Sequence, residues 1–428
     1  MKLSVFKTLP SLALVLLVAL ALRLVWAWLV PVVPVSDSVG YDTFARTLLE
    51  HGVFGWTRDE PFAFWPPGTT FLHAAVYGLF GYHYAAIVGM NIILSLILIV
   101  STARLALRLH GERAAIVAAW VLALWPTLVV FTTVLASELP FLVFSVVALD
   151  VWTASSRPSL ARGLLVGVLL GVAALVRPLA LALPVVYAFA MVVQTWAARD
   201  LAVRHAVTGV VAALAMGLVI APWTWRNHQL YGETVLVSTN GGITLWMGNA
   251  PGTDGRYLPV PDELSHLSDH EQAQILGARA RQYILDDPVG FVVRSVRKLG
   301  ILYGNESIGA LWNSEGIATV WGDAAVVVTK RLTQVTWLLI LLVALAGFVA
   351  LWRQSGVVAA LFSPLTVSIA FYSVVHSIMV AQERYHLSFA AQIAIFFGVA
   401  VAAWRARAAS KDASDAGAGQ APVRTRAG

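Results

Sequence analysis

An acidic residue stands directly after the first long apolar run of the sequence. The run 9–33 is followed by Ser36 and Asp37, and a carboxylate at that place could take a proton from an acceptor hydroxyl or amine. Asp37 could equally be the N-cap of the helix that follows, because Asp is a preferred capping residue. Tyr41 lies one turn further along this predicted helix, which ends near Gly52. The residues alone leave both roles open for Asp37.

A rigid aromatic turn follows in the same loop. Phe64 and Trp65 precede Pro66, Pro67 and Gly68, and two prolines block helix and force an extended backbone. We expect helix to resume at about residue 69 and to run to residue 80. The turn would hold Trp65 at the membrane interface, where an aromatic ring can stack on a sugar or anchor the loop in the headgroup layer.

Charged residues also stand at the ends of apolar runs or inside them. Arg177 precedes Pro178 after such a run, and an arginine there is costly unless it is paired, faces a polar cavity or reaches the interface. Its guanidinium suits a phosphate group, which it can bind through two hydrogen bonds. Glu138 starts another run and either favours the helix N-terminus or pairs with an arginine. Arg23, inside the first run, raises the same question of a partner.

Further candidates lie later in the chain. Arg226 follows an apolar run, and Asn240 begins a stretch rich in Gly and Asn, in which glycine permits close approach of the backbone to a ligand. Glu383, Arg384 and Tyr385 stand before the final apolar run, where the first two could pair with each other or line a cavity. The chain has no cysteine and no HExxH, GxSxG, P-loop or EF-hand motif. The sequence therefore indicates no cofactor, and a divalent metal is left open.

The elements that carry these residues are predicted to be membrane spans. Hydrophobic residues make up 59% of the chain, charged residues 12%, and the mean hydropathy is +0.76, whereas about a quarter of a soluble domain is charged. This composition argues against a soluble α/β enzyme. A spanning helix needs roughly 20 apolar residues, and about ten segments approach that length. They are 10–32, 84–108, 113–134, 138–154, 161–178, 179–197, 205–223, 332–352, 356–379 and 386–404.

Two of these segments leave alternatives. The first follows Lys2 and Lys7, is longer than the apolar part of a signal peptide, and is predicted to be an uncleaved span. The pair 161–197 is interrupted at Arg177 and Pro178, so two spans, a kinked pair and a re-entrant break are all compatible with it.

Basic residues fix the predicted orientation of the spans. They cluster in the short turns between alternate spans and after the last one: Arg104, Arg108, Arg113, Arg157, Arg162, Arg199, Arg204, Arg353, Arg405, Arg407 and Lys411. With the N-terminus inside, all of them fall on the cytoplasmic side, as the positive-inside rule expects. We therefore predict that both termini are cytoplasmic and that the acidic and aromatic loops lie outside.

This orientation divides the chain into four parts. They are an N-terminal transmembrane module 1–223 with its first outer loop 33–83, a periplasmic segment 224–331, C-terminal transmembrane helices 332–404, and a tail 405–428. The tail is rich in Ala, Gly and Ser and is predicted to be disordered in the cytoplasm.

The periplasmic segment is predicted to be small and mixed in structure. Residues 234–237 are β-prone, and Ser268 opens a capping box for a helix that runs to about residue 285. A second, amphipathic helix covers about 288–302 and carries Arg294, Arg297 and Lys298. We expect this helix to lie on the membrane and to dock these cations on anionic headgroups.

The order of these motifs resembles the bacterial GT-C membrane glycosyltransferases of the protein O-mannosyltransferase and aminoarabinose-transferase type. The matching elements are Asp37 with Tyr41, Trp65-Pro66-Pro67-Gly68, Ser137-Glu138, Val176-Arg177-Pro178, Pro222-Trp223 with Arg226-Asn227, Ser238-Thr239-Asn240-Gly241-Gly242 with Gly248-Asn249, and Glu383-Arg384-Tyr385. Each motif is weak alone, but seven in this order over about residues 10–400 form a strong joint signal.

The resemblance implies an all-α polytopic membrane protein, a GT-C-like bundle of about ten spans with membrane-parallel helices in the first outer loop. It implies transfer of a sugar from a polyprenyl-phosphate donor to a lipid, glycan or protein acceptor on the periplasmic face of a bacterial inner membrane, with no nucleic acid as partner. The family's catalytic carboxylate falls at Asp37. Its phosphate-binding cations fall at Arg177, Arg226 and Arg384 by position. The remaining substrate-binding candidates are Tyr41, Trp65, Glu138, Asn240, Glu383 and Tyr385.

Two departures and two alternatives stand beside this interpretation. Ser38 follows Asp37 where many relatives have an acidic pair, and Phe64-Trp65 replace the Glu-Lys of aminoarabinose transferases, which puts a lipid A acceptor in doubt. A transporter or flippase would explain the spans and the intramembrane arginines. It would not explain an acidic, aromatic first outer loop or so long a periplasmic segment. A GT-C-like scaffold without catalysis is the second alternative.

Overall fold

The computed structural model describes residues 2–155 and 157–418. Its α-helices are α1 (Lys2–Leu29), α2 (Asp37–His51), α3 (Gly68–Phe80), α4 (Tyr84–His110), α5 (Glu112–Leu124), α6 (Pro126–Val130), α7 (Glu138–Trp152), α8 (Leu160–Val176), α9 (Leu183–Gln194), α10 (Arg199–Tyr231), α11 (Asn240–Met247), α12 (Asp269–Asp286), α13 (Pro288–Gly304), α14 (Ile308–Trp312), α15 (Ser314–Trp321), α16 (Asp323–Ser355), α17 (Val357–Leu361), α18 (Pro364–Ile378) and α19 (Ala390–Ala418). Short 3₁₀ helices lie at Phe131–Thr133, Pro178–Ala182, Asp262–Leu264 and Tyr385–Phe389. Over these described residues there is no β-strand, so the protein is all-α as predicted.

The chain is a multi-span membrane protein. Within residues 2–155 and 157–418, five helical stretches are long and apolar enough to cross a bilayer: Pro10–Leu29, Tyr84–His110, Arg199–Tyr231, Asp323–Ser355 and Tyr385–Ser410. A sixth crossing is formed if Glu112–Leu124 and Pro126–Thr133, bent by 55° at their junction, are one span. The predicted count of ten is not confirmed, because α7, α8, α9 and α18 have 17 residues or fewer, against roughly 20 for a full crossing.

Close contact between α8 and α10 depends on a row of glycines. A Cβ on Gly167 would lie 2.3 Å from the carbonyl oxygen of Ala212, and one on Gly171 would lie 2.6 Å from the Cβ of Val219. Small residues four apart let two membrane helices approach until their backbones touch. This packing holds α8 against α10 along its length, and α8 ends at Val176, before the break at Arg177 that the sequence left open.

Arg23 is explained by another break in the bundle. Its guanidinium is buried in α1 and donates to the carbonyl oxygens of Leu122 and Ala123, each at 3.2 Å. Those carbonyls lie at the end of α5, where Pro126 prevents the helix from continuing and leaves them without helical donors. The intramembrane arginine thus satisfies a broken helix 99 or more residues away, and it also donates to the carbonyl oxygen of Ala19 in its own helix at 3.2 Å.

The β-prone stretch 234–237 does not form a strand. Its carbonyl oxygens accept hydrogen bonds from side chains of α10 instead of from a neighbouring strand: Trp223 Nε1 donates to Val237 at 2.7 Å, and Thr224 Oγ1 donates to Leu236 at 2.7 Å. The segment 224–331, predicted to be periplasmic, is therefore helical and irregular within the described residues, and the prediction of mixed structure was wrong.

The two helices predicted in this segment are present, with one correction. Ser268 forms the expected capping box with Glu271 at the start of α12, and Asp287 caps α13. Lys298 does not reach the membrane surface. It is fully buried, its Nζ donates to the carbonyl oxygen of Ile378 at 2.8 Å, and burial lowers its pKa to about 8. The lysine caps the end of α18, where unpaired carbonyls attract a cation.

Some predicted boundaries also move. α10 continues to Tyr231, past the predicted border at 223, and α16 begins at Asp323, before the predicted border at 332. The last helix continues to Ala418. The tail predicted to be disordered is thus helical over 405–418, because alanine, arginine and lysine are good helix formers; residues 419–428 lie outside the described residues.

Candidate active site

Asp37 is the first residue of α2, and its carboxylate faces a cation. Its Oδ2 accepts a hydrogen bond from Nη2 of Arg384 at 2.6 Å. The N-cap position is occupied by Ser36, whose side chain makes no capping hydrogen bond and whose φ is 53°. No other non-glycine residue of the described chain has a positive φ, a conformation that costs about 1–3 kcal/mol. The interpretation of Asp37 as a helix cap is therefore not supported.

Arg384 joins Asp37 to a second, buried ion pair. Its Nη1 lies 3.2 Å from Oε1 of Glu138, and the same oxygen accepts from Nη2 of Arg177. We call these four residues the charge network; it contains two carboxylates and two guanidinium groups. The side chains of Arg384, Glu138 and Arg177 are 6%, 2% and 10% exposed, whereas that of Asp37 is 25% exposed. Asp37 is thus the member that an incoming molecule can reach.

Two helix ends position Arg177 and Glu138 in the charge network. Arg177 follows α8 in an extended conformation, with φ −146° and ψ 125°, because Pro178 excludes helix at the residue before it. Its Nε donates to Oγ of Ser137 at 2.9 Å, immediately before Glu138 opens α7. A Cβ on Gly68 would lie 2.7 Å from the backbone of Val176. The first outer loop therefore packs directly against the residue before Arg177.

Aromatic side chains enclose the network. Tyr41 is buried, and burial, followed by the negative charge of Asp37, raises the pKa of its hydroxyl. The ring of Tyr385 lies 5.4 Å from the guanidinium carbon of Arg177 and 5.6 Å from that of Arg384. Both tyrosines were predicted site residues, and the structure brings both to the network, where they limit the access of water to it.

Trp65 packs against residues next to the charge network and not against the charged groups themselves. Its ring centroid is 6.2 Å from that of Tyr41 and 5.5 Å from that of Phe44. A Cβ on Gly40 would lie 2.6 Å from the Trp65 ring, so the tryptophan packs closely onto α2. The aromatic turn therefore supports the helix that begins with Asp37.

Three further predicted site residues belong neither to the charge network nor to the aromatic side chains around it. Arg226 donates to the carbonyl oxygens of Phe62 at 2.9 Å and Phe54 at 3.2 Å, and so holds the first outer loop to α10. Glu383 bonds to residues of the periplasmic segment and not to Arg384, its neighbour in the sequence. Asn240 begins α11 and accepts from Ser238 at 3.0 Å. Their positions in the sequence made all three site candidates, but the sequence did not show where their side chains point.

Asn240 lies near a groove beside the break at Arg177. The groove has a volume of about 640 Å³ and is lined by Pro178, the stretch 234–239, Gly242, His270 and Arg281, among others. A second cavity of about 620 Å³ is lined by residues such as His110 and Gln194, at the helix ends that the charge pattern places inside. No group of three or more His, Asp or Glu side chains in the described chain is placed to hold a metal ion.

Sequence reasoning missed one residue of the site. Trp312, in α14, places its ring centroid 4.3 Å from the guanidinium carbon of Arg384, a cation–π contact that stabilises a desolvated charge. The chain has 16 tryptophans, and nothing in the sequence around residue 312 distinguishes this one.

This chain is similar to a known protein family and to a solved membrane-protein structure. The model of the dolichyl-phosphate-mannose-protein mannosyltransferase family matches residues 65–225, less than half of the chain. The structure of the archaeal oligosaccharyltransferase AglB from Archaeoglobus fulgidus superposes with a TM-score of 0.57 at 13% identity, over 93% of this chain and 50% of that one. The chain has the fold of this oligosaccharyltransferase, which is the GT-C fold of polytopic membrane proteins. The resemblance drawn from the sequence is confirmed.

A further solved structure is less similar to this chain. ArnT from Cupriavidus metallidurans, bound to undecaprenyl phosphate, gives a TM-score of 0.44 at 17% identity, over 91% of this chain and 76% of that one. No protein of curated function matches the sequence. The chain spans about half the length of the archaeal oligosaccharyltransferase.

Proposed function

We propose that this GT-C protein is a glycosyltransferase that moves a sugar from a polyprenyl-phosphate donor to a lipid, glycan or protein acceptor. The proposal depends most on the contact between Asp37 and Arg384. A partly exposed carboxylate lies 2.6 Å from a buried guanidinium, at the point where the first span leaves the membrane. One group can accept a proton and the other can stabilise a departing phosphate.

The reaction needs one displacement at the anomeric carbon of the donor sugar. The acceptor oxygen or nitrogen forms a bond to that carbon, and the bond between the carbon and the phosphate oxygen breaks. Asp37 takes the proton of the acceptor, while the phosphate leaves with the electron pair and its charge is stabilised by Arg384. Because the acceptor attacks opposite the leaving group, the configuration at the anomeric carbon inverts.

In this scheme Arg384 also exchanges one binding partner for another. Phosphate and carboxylate accept from a guanidinium in the same way, so a donor phosphate would compete with Asp37 for Nη2 of Arg384. The exchange would release the carboxylate for the proton of the acceptor. Glu138 and Arg177 keep Arg384 in place during the exchange, since Glu138 contacts both arginines.

The similar proteins support this choice of substrates. The archaeal oligosaccharyltransferase was captured with a dolichol-phosphate and an inhibitory peptide, and the matching family is named for a dolichyl-phosphate-linked mannose donor and a protein acceptor. We further propose a bacterial inner-membrane location with both termini in the cytoplasm, and a division of the chain into the same four parts with the helix borders that the structure gives.

Purified protein in proteoliposomes, given polyprenyl-phosphate sugars one at a time, tests the proposal. Transfer releases free polyprenyl phosphate and yields a glycosylated acceptor, both detectable by mass spectrometry of the lipid and acceptor fractions. Movement of the intact lipid-linked sugar between leaflets without release of lipid phosphate would instead identify a flippase. Absence of both activities with every donor would favour the scaffold alternative.

A further inference from the structure

Arg384 is anchored by a polar triplet outside the charge network. Asn305, Glu306 and Ser307 connect α13 to α14, and we call them the NES clamp. Two of them bind the residue before Arg384: Nδ2 of Asn305 donates to Oε1 of Glu383, and Oγ of Ser307 donates to Oε2 at 2.8 Å. The clamp therefore holds Glu383 by both carboxylate oxygens.

Glu383 is fully occupied by these contacts. Nη1 of Arg256 donates to its Oε1 at 3.0 Å, beside the bond from Asn305. Burial by itself would raise the pKa of Glu383, but the hydrogen bonds from Ser307, Arg256 and Asn305 outweigh burial and hold the pKa below its usual value. A carboxylate that is charged and bonded on both oxygens is an anchor for the chain, and this is a different role from the substrate contact predicted for it.

The middle residue of the clamp binds on the other side of Arg384. Oε1 of Glu306 lies 3.0 Å from Nε2 of His386, and Nδ1 of His386 lies 2.9 Å from the carbonyl oxygen of Leu302. For both contacts to be hydrogen bonds, Nδ1 must carry a proton and a second proton must lie between Nε2 and Glu306. The buried pair is then neutral overall, whichever partner holds that proton.

Stacking completes the hold on His386. The ring of Trp337 lies parallel to the imidazole, with centroids 4.1 Å apart and planes 8° apart, and Nε1 of Trp125 donates to Glu306 at 3.0 Å. His386 and Glu306 are 0% and 1% exposed. Residues 383 and 386 are thus both fixed by consecutive residues of one short loop, and only Arg384 and Tyr385 lie between them.

We propose that Asn305, Glu306 and Ser307, acting through Glu383 and His386, are positioning residues that aim the guanidinium of Arg384 at Asp37. This inference rests on the proposed function, because it concerns the cation assigned to the leaving phosphate. Arg384 is the second residue of a four-residue turn whose ends are both bonded, so the clamp sets the path of its backbone. A displacement of about 1 Å in such a group can cost on the order of 100-fold in rate.

Chemical labelling tests the clamp without any need for transfer activity. Phenylglyoxal modifies exposed arginines, and its reaction with Arg384, which is buried, can be followed by peptide mass spectrometry. We expect Glu383→Gln and Glu306→Gln to speed the labelling of Arg384 by about fivefold or more, as a loss of 1–2 kcal/mol of local stability would. Glu263→Gln is the matched control, because Glu263 forms an exposed pair with Arg279 in the same segment. Equal labelling of Arg384 in clamp and control variants would overturn the proposal.

Kinetics provide the second arm of the test. In the clamp variants we expect kcat to fall about 10-fold or more, with a smaller change in KM for the acceptor. The same substitutions in an Arg384→Lys background should cost less than about twofold, since a lysine does not depend on the direction of a planar fork. Full additivity in that background would contradict a role exerted through Arg384. Ser307→Ala, which removes one hydrogen bond, serves if a carboxylate variant does not fold. If wild-type protein transfers no sugar, the proposed function fails while labelling still decides the clamp.

Discussion

The guanidinium of Arg384 serves several acceptors at once, and this explains why an arginine stands there. Its Nη2 donates to Asp37 and its Nε donates to Gln382 at 2.8 Å, while Nη1 faces Glu138 at 3.2 Å. A lysine could carry the charge but not the planar fork that reaches these acceptors in fixed directions. The residue thus combines a buried charge with a defined orientation.

Arg384→Lys should therefore lower kcat for sugar transfer by about 100-fold, the usual cost of losing one preorganised donor to a developing negative charge. KM for the donor should change less, because the positive charge is kept. Arg279→Lys is the control, since Arg279 pairs with an exposed carboxylate. Wild-type turnover by a folded Arg384→Lys protein would show that the fork does not matter.

At this scale the sequence predicted the participants and offered an arginine partner for Glu138, but it missed the pairing of Asp37 with Arg384. All four residues of the charge network were site candidates, because a charged side chain at the end of an apolar run is costly unless it is paired or faces a polar cavity. The partner of Arg384 could not be predicted, since Glu383 is adjacent in the sequence while Asp37 is 347 residues away. Which carboxylate the side chain reaches is decided by tertiary packing.

At the scale of elements, the contact between α3 and α8 links the first outer loop to the network. Gly68 begins α3 and meets the backbone of Leu175 and Val176, where an added Cβ would lie 2.7 Å from each. Backbone atoms cannot move aside as a flexible side chain can, so any larger residue at 68 must push the loop away from Arg177.

Gly68→Ala should destabilise the protein by about 1–3 kcal/mol, as overpacking does, and should lower transfer activity as well. Gly78→Ala in the same helix is the matched control, because a Cβ there would meet its nearest neighbour, Leu49, at an ordinary 3.5 Å. Thermal unfolding in nanodiscs measures the stability of both variants, and the proteoliposome assay measures their transfer activity. Equal melting temperatures for the two variants would show that the contact is not close.

Predictions for the elements were accurate where local signals were strong. The capping box at Ser268 and the glycine at the end of α2 both mark real helix ends. The predictions were wrong where a long-range contact determines the structure. The stretch 234–237 is β-prone but binds α10. Lys298 was predicted to be a surface cation but caps the end of α18. Neither partner is visible within the local sequence.

At the scale of the whole molecule, the distribution of charge defines two sides. Arginines stand in the short turns on one side, and the charge network lies at the other ends of the same helices. Composition alone predicted a membrane protein, and the part of the chain that the structure describes contains five to six helices able to cross a bilayer. The convergence of residues 37, 138, 177 and 384 on one place could not be read from either composition or periodicity.

The absence of cysteine from the sequence makes the orientation directly testable. Ser265 lies in the segment predicted to be periplasmic and Ser355 in a turn predicted to be cytoplasmic; both are exposed, and each can be changed to Cys. A membrane-impermeant maleimide should label the first in intact cells and the second only after permeabilisation. The reverse pattern would invert the topology and place the charge network on the cytoplasmic face.

The central claim is that Asp37 is the base of a sugar transfer at the outer face of the membrane. Its most direct test is the rate at which Asp37→Asn protein releases polyprenyl phosphate in proteoliposomes, compared with wild type and with Glu50→Gln. Glu50 is an exposed acid near the end of the same helix. We predict a fall in kcat of about 100- to 10,000-fold for Asp37→Asn and an unchanged rate for Glu50→Gln. A folded Asp37→Asn protein that transfers sugar at the wild-type rate would contradict the claim.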